Sequence, residues 1–161
     1  MNLKLFAAVA AAWLGAGAAA GADFVSVSLE TTANVPAEIA WRKLRGFCEI
    51  GAWMKLPCFI ASGKDGEIGA VRRVNGRLDE LIVATTALSY TYTQPKSPTD
   101  YHGTVEVRPI DGGHARLLYA VVYDADALPT PTPEGKAAEK QKRVERFTAV
   151  LAAMKASAEA R

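Results

Sequence analysis

LSYTYTQP, residues 88–95, alternates Leu88, Tyr90 and Tyr92 with Ser89, Thr91 and Thr93 before Pro95 ends the run. A period of two is the signature of a β-strand with one buried and one wetter face. The face to be buried carries two phenols beside a leucine. It is either a packed core or the wall of a pocket, and the function turns on which.

The neighbouring stretches alternate in the same way. FVSVSLET (24–31) sets Val25, Val27 and Leu29 against Ser26, Ser28 and Glu30. CFIASG and IGAVRRV read as strands joined at Gly63-Lys64-Asp65-Gly66, and RLDELIVAT leads through Thr85-Thr86-Ala87 into LSYTYT. YHGTVEVRP and HARLLYAVVYDA flank Asp111-Gly112-Gly113, a strong turn signal. In ordinary register Leu88, Tyr90 and Tyr92 share a face with Tyr101, Val105 and Val107, and Leu117, Tyr119, Val121 and Tyr123 join them.

Two helical patterns interrupt or close this series. NVPAEIAWRKLRGF has Pro36 at a first-turn position, Glu38 near the positive helix end, and Ile39, Ala40, Leu44 and Phe47 at helical spacing. CEIGAWMKLP reads as a second short helix closed by Pro57. After the proline-spaced loop LPTPTPEG, residues 134–158 are helical, starting at Thr132-Pro133. Val144, Phe147, Leu151 and Met154 form the apolar stripe, opposite Lys140, Arg143, Glu145 and Lys155. The predicted class is α+β: one strand, two short helices, six strands in a meander, then a long C-terminal helix as the only long cover for the sheet.

At the start of the chain, Leu5 to Leu14 make an apolar run of about ten residues, too short to span a bilayer of roughly 20 apolar residues. Ala18-Ala19-Ala20 and Ala20-Gly21-Ala22 both fit an A-x-A cleavage pattern. Residues 1–22 are read as a secretory signal peptide cut after Ala20 or Ala22, with an uncleaved N-terminal anchor as the alternative. Residues 23–161 form a single domain in the periplasm or outside the cell. Without Lys4, 18 basic residues face 17 acidic ones, a balance that argues against a nucleic-acid groove. Cys48 and Cys58 are the only cysteines, and an even count in an exported chain predicts a disulfide, two free buried thiols being the alternative. His102 and His114 have no ligand spacing, so no metal is expected. Gly63, Gly66 and Gly69 open no helix, so they are read as hairpin residues, not a phosphate loop, and no cofactor is implied.

The order and spacing of VPAEIAWRKLRGF, AWMKLP, GEIGAVRRV, DELIVAT with LSYTYT, DYHGTVEVRP and HARLLYAVVYDA resemble the START-like, birch-pollen-allergen-like superfamily (SRPBCC), and within it the polyketide cyclase/dehydrase and lipid-transport-like group. The resemblance covers most of residues 25–125 and extends into the last helix. It implies a helix-grip fold: a curved antiparallel sheet of about seven strands wrapped round the C-terminal helix, with a cavity between. It also implies a lipid-like, apolar or amphipathic ligand, and in some members cyclisation or hydrolysis.

Six candidate ligand-binding residues follow. Tyr90, Tyr92, Tyr101, Tyr119 and Tyr123 come from strand parity. Trp53 lies in AWMKLP, which the resemblance places near the cavity mouth, whereas Trp41 is read as core. Arg72 and Arg73 are adjacent on a strand, so one must face inward, where Glu80 is the natural partner. For Arg73 a surface cross-strand pair is expected; for Arg72 both readings stand. Glu80 and Arg72 are the catalytic candidates of an enzyme reading, a cyclase or dehydratase using a cavity tyrosine. The preferred reading is a non-catalytic carrier of a small molecule. A third reading is an accessory module that binds a partner protein in the envelope. His102 alternates away from Tyr101 and should face outward.

Overall fold

A computed structural model describes residues 21–160, so the expected leader up to Ala20 lies outside the described residues. The elements run in the expected order. β1 (Phe24–Ala33) is followed by α1 (Ala37–Leu44) and α2 (Glu49–Met54). Then come β2 (Cys58–Ser62), β3 (Val71–Val74), β4 (Leu78–Thr86), β5 (Ser89–Thr93), β6 (His102–Pro109) and β7 (Ala115–Asp124), and the chain closes with α3 (Pro133–Glu159). All strand pairs are antiparallel in one seven-stranded sheet, ordered β1-β7-β6-β5-β4-β3-β2. The sheet curves round α3, which makes this an α+β helix-grip fold.

Parity survives intact across β5, β6 and β7. Tyr90 pairs with Val105 and Val105 with Tyr119; Tyr92 pairs with Gly103 and Gly103 with Val121. These residues, with Val107, Leu117 and Tyr123, are buried on one face. β3 turns into β4 through Asn75 and Gly76, both at positive φ (52° and 68°), the conformation that an Asn-Gly turn accepts at least cost.

Parity breaks at two bulges. One lies between Ile60 and Ser62, the other between Ile82 and Ala84. The second leaves Val83 exposed and sets Thr85, not Ala84, beside Tyr90. An unpaired extra residue bends the strand, which helps the sheet to curl. Two expected boundaries shift. The β4–β5 turn falls at Ala87-Leu88, so Leu88 leaves the strand, and Phe47 lies beyond α1 although fully buried.

α3 begins where expected. Pro133 fits the first turn because its missing N–H is one that no helical carbonyl would receive, and the Thr132 hydroxyl accepts a bond from the Gly135 N–H at 3.1 Å. Phe147, Leu151 and Met154 are buried as expected, and Val144 is half-buried. One residue departs: Arg143, expected on the solvent face, lies against the sheet. Its guanidinium carbon is 4.0 Å from the centre of the Tyr123 ring and 5.6 Å from that of Tyr101. Positions 143, 147, 150 and 154 are spaced by four, three and four, so Arg143 continues the buried stripe one turn toward the N-terminus.

Candidate functional site

A cavity of about 520 Å³ lies between α2, α3, the β3–β4 turn and the loop after β5. Tyr92, Tyr101 and Tyr119 wall it on the sheet side, and Ile50, Met54, Phe147 and Val150 give it an apolar side. Polar groups enter from Glu80, Gln94, Arg77, Arg143 and Arg146. The lining is therefore amphipathic, with apolar surface and convergent hydrogen-bonding groups in one hollow.

The three phenols meet. The Tyr92 and Tyr119 hydroxyls are 2.6 Å apart and share a hydrogen bond. The Tyr92 ring reaches Tyr119 by crossing Gly103: a Cβ there would sit 2.7 Å from Cε1 and nearer still to Cζ. Gly103 is thus the space that the ring occupies. Burial pushes the Tyr92 and Tyr119 hydroxyls well above the usual phenol range. It raises Tyr101 too, although hydrogen bonding with Tyr92 and Tyr119 and the charge of Arg143 pull the other way. All three are neutral O–H groups at physiological pH. They can donate to a ligand carbonyl or carboxylate, and they cannot serve as bases there.

Arg72 and Glu80 meet one layer deeper, opposite each other in the β3–β4 register. Arg72 is 1% exposed and Glu80 4%, so water does not separate them. The Arg72 Nε donates to Glu80 Oε2 at 2.6 Å, Nη2 lies 2.6 Å from the same oxygen, and Nη1 donates to the Phe47 carbonyl. Phe47 and Tyr92 flank the guanidinium at 4.1 Å and 4.9 Å from their ring centres. Burial works against the charge, but the Glu80 carboxylate bonded to it opposes that penalty, and the guanidinium is held charged above its ordinary range. Gln94 Nε2 takes the other Glu80 oxygen at 2.9 Å. Every nitrogen of Arg72 is committed, so it braces the core. Glu80 lines the cavity with both oxygens already bonded. Arg73, as expected, makes a bidentate cross-strand pair with Asp79 at the surface, at 2.6 Å and 2.9 Å.

The remaining candidates lie elsewhere. Tyr90 is fully buried between Trp41 and Phe47, its ring centre 6.0 Å and 5.5 Å from theirs. It lines a second depression, of about 630 Å³, at the far side of the Arg72–Phe47 layer. Tyr123 packs under Arg143 and Trp53 is buried on α2, and neither lines the first cavity. Among the described residues the hydroxyls of Tyr90 and Tyr123 and the indole N–H of Trp53 have no hydrogen-bond partner. His102 and His114 face outward, each beside an aspartate. Cys48 and Cys58 form a disulfide that ties the start of α2 to the first residue of β2. Gln94 and Arg143, both in the cavity wall, were not among the sequence candidates. The 4-3-4 spacing from Arg143 to Met154 was the signal for the arginine. Nothing local marks Gln94, which sits in a loop.

The family described as polyketide cyclase/dehydrase and lipid transport matches residues 25–159. The chain belongs to that family. Solved structures agree on the fold. A protein from Thermobifida fusca is 21% identical with a TM-score of 0.66, over 83% of this chain and 92% of that one. The Zhui aromatase/cyclase from a Streptomyces species is 20% identical with a TM-score of 0.63, over 85% and 94%. Norcoclaurine synthase from Thalictrum flavum, solved with dopamine and hydroxybenzaldehyde, is 14% identical with a TM-score of 0.61, over 96% and 95%. No curated protein matches this polyketide cyclase/dehydrase family member.

Proposed function

We propose that this protein binds a small amphipathic molecule in the cavity between α3 and the sheet, as an exported carrier. The observation that carries the reading is the convergence of three neutral phenols, Tyr92, Tyr101 and Tyr119, on a hollow of about 520 Å³ whose opposite side is apolar. A core without a guest is close-packed, with few voids larger than a water molecule. The family includes cyclases, and the Streptomyces neighbour is described as an aromatase/cyclase. Glu80, the only carboxylate lining the cavity among the described residues, is bonded at both oxygens to Arg72 and Gln94, which favours binding over proton abstraction.

Export is part of the proposal. It is supported by the short apolar run with A-x-A sites and by the Cys48–Cys58 disulfide, a bond that persists in oxidising compartments. No helix among the described residues is long and apolar enough to cross a membrane. The mature protein begins at Gly21 or Asp23 and works in the periplasm or outside the cell.

Native mass spectrometry of the protein purified gently from the exported fraction tests both parts. The expected spectrum shows a chain lacking its first 20 or 22 residues, with a small-molecule adduct that Tyr92→Ala or Tyr101→Ala removes. A full-length chain would refute the cleaved leader. An adduct that survives both substitutions would refute the phenol wall.

A further inference from the structure

Two arginines are drawn into this molecule, and they are used differently. Arg72 spends every nitrogen on Glu80 and Phe47. Arg143 is held by ring faces, those of Tyr123 and Tyr101, which attract a cation without consuming its N–H groups. Its closest acidic neighbour is Glu139, one turn earlier on α3, with Nε 2.8 Å from Oε1. That N–H does not point at the oxygen, and no Arg143 N–H makes a hydrogen bond among the described residues. A planar fork of donors therefore stands against the cavity wall, with Glu139 beside its Nε and without a hydrogen bond among the described residues.

The charges round this cavity do not balance. Arg77, Arg143 and Arg146 line it; among the described residues Glu80 is matched by Arg72 and Glu139 stands beside Arg143, which leaves Arg77 and Arg146 as the surplus. Arg77 and Arg146 form no ion pair among the described residues. The neighbouring Tyr101 and Tyr119 hydroxyls stay protonated and can donate to an anion without repelling it.

We infer that the ligand is an amphipathic anion whose carboxylate or similar oxyanion pairs with Arg143, assisted by Arg146 and Arg77, while its apolar body lies along Ile50, Met54, Phe147 and Val150. This rests on the binding reading above and narrows it to a ligand class. A guanidinium fork matches the two oxygens of such a group, and burial strengthens the pairing.

Two fluorescent probes that share a skeleton test it: anilinonaphthalene sulfonate and neutral phenyl-naphthylamine. The mature protein is expected to bind one sulfonate per chain at least about tenfold more tightly than the neutral probe, and the preference should shrink as salt rises. Arg143→Gln should reduce that preference to within about threefold while neutral-probe affinity changes less than about twofold, and Arg143→Lys should keep part of it. Arg146→Gln with Arg77→Gln changes only exposed side chains, and should cost the sulfonate about threefold or more even if Arg143 variants fold poorly. Equal affinity for the two probes, or equal weakening of both by Arg143→Gln in a protein that melts normally, overturns the anion inference and leaves the binding reading standing. If neither probe binds, both fall.

Discussion

Arg72 and Glu80 stand opposite each other on β3 and β4 and are buried together, the guanidinium sandwiched between Phe47 and Tyr92. A buried pair is costly to break and cheap to replace as a unit, because the desolvated survivor is what hurts. Arg72→Met and Glu80→Leu are each expected to cost about 3–5 kcal/mol in urea unfolding. The double variant should cost less than their sum by about 2 kcal/mol or more. Additive costs would show that the two charges do not depend on each other.

The Gly103–Tyr92 contact gives a sharper mutational expectation. Alanine in a strand is ordinarily no worse than glycine. Here its Cβ would enter the Tyr92 ring, displacing the phenol that bonds Tyr119. Gly103→Ala should therefore cost about 1–3 kcal/mol, the range for overpacking. In a Tyr92→Leu background the same substitution should cost less than about 0.5 kcal/mol. A thermally silent Gly103→Ala in the natural background would mean that the ring is free to move aside.

Strand parity is a local property, and it placed Tyr90, Tyr92, Val105, Val107, Tyr119 and Tyr123 on one face from the sequence alone. Chamber membership is not local. Whether a phenol on that face meets the cavity depends on where Phe47 and α3 cross the sheet. Thus Tyr92 and Tyr119 line the cavity, while Tyr90 lies beyond the Arg72 layer and Tyr123 is covered by Arg143. The same limit hid the bulge at Val83, which no turn residue announces. The inward course of Arg143 was written in the spacing of α3, but a charged residue on a stripe edge reads as solvated unless something aromatic is known to face it.

The phenols carry a pH signature. The chain has five tyrosines, Tyr90, Tyr92, Tyr101, Tyr119 and Tyr123, and all five hydroxyls are raised, with burial as the largest cause in each. Tyr90 is pushed up to about 12. A raised folded-state value means that the unfolded chain, whose phenols titrate near pH 10, loses its protons first. The stabilisation is thus complete below about pH 10 and drains away as pH rises through about 12, on the order of 2–3 kcal/mol for Tyr90 alone. Near-ultraviolet absorbance should show no tyrosinate step near pH 10 in the native protein. Tyrosinate should appear together with loss of tertiary structure. A normal one-fifth step before unfolding would identify a phenol in open solvent.

The disulfide acts on the cavity through α2. Cys48 immediately precedes this six-residue helix and Cys58 opens β2, while Ile50 and Met54 on the helix form part of the cavity's apolar side. A helix this short has almost no stability of its own. With the bond closing a loop across a sequence separation of 10, its loss should cost about 3 kcal/mol by the chain-entropy estimate. The effect should be uneven. In a Cys48→Ala/Cys58→Ala variant, α2 amides should exchange with solvent much faster than those of β6 and β7, which lie inside the sheet. Affinity for the neutral aromatic probe should fall with them, because that probe depends on the apolar side that α2 supplies. If α2 amides stay as protected as those of β6 in the variant, the helix is held by its packing on α3, and the disulfide does not set the shape of the cavity.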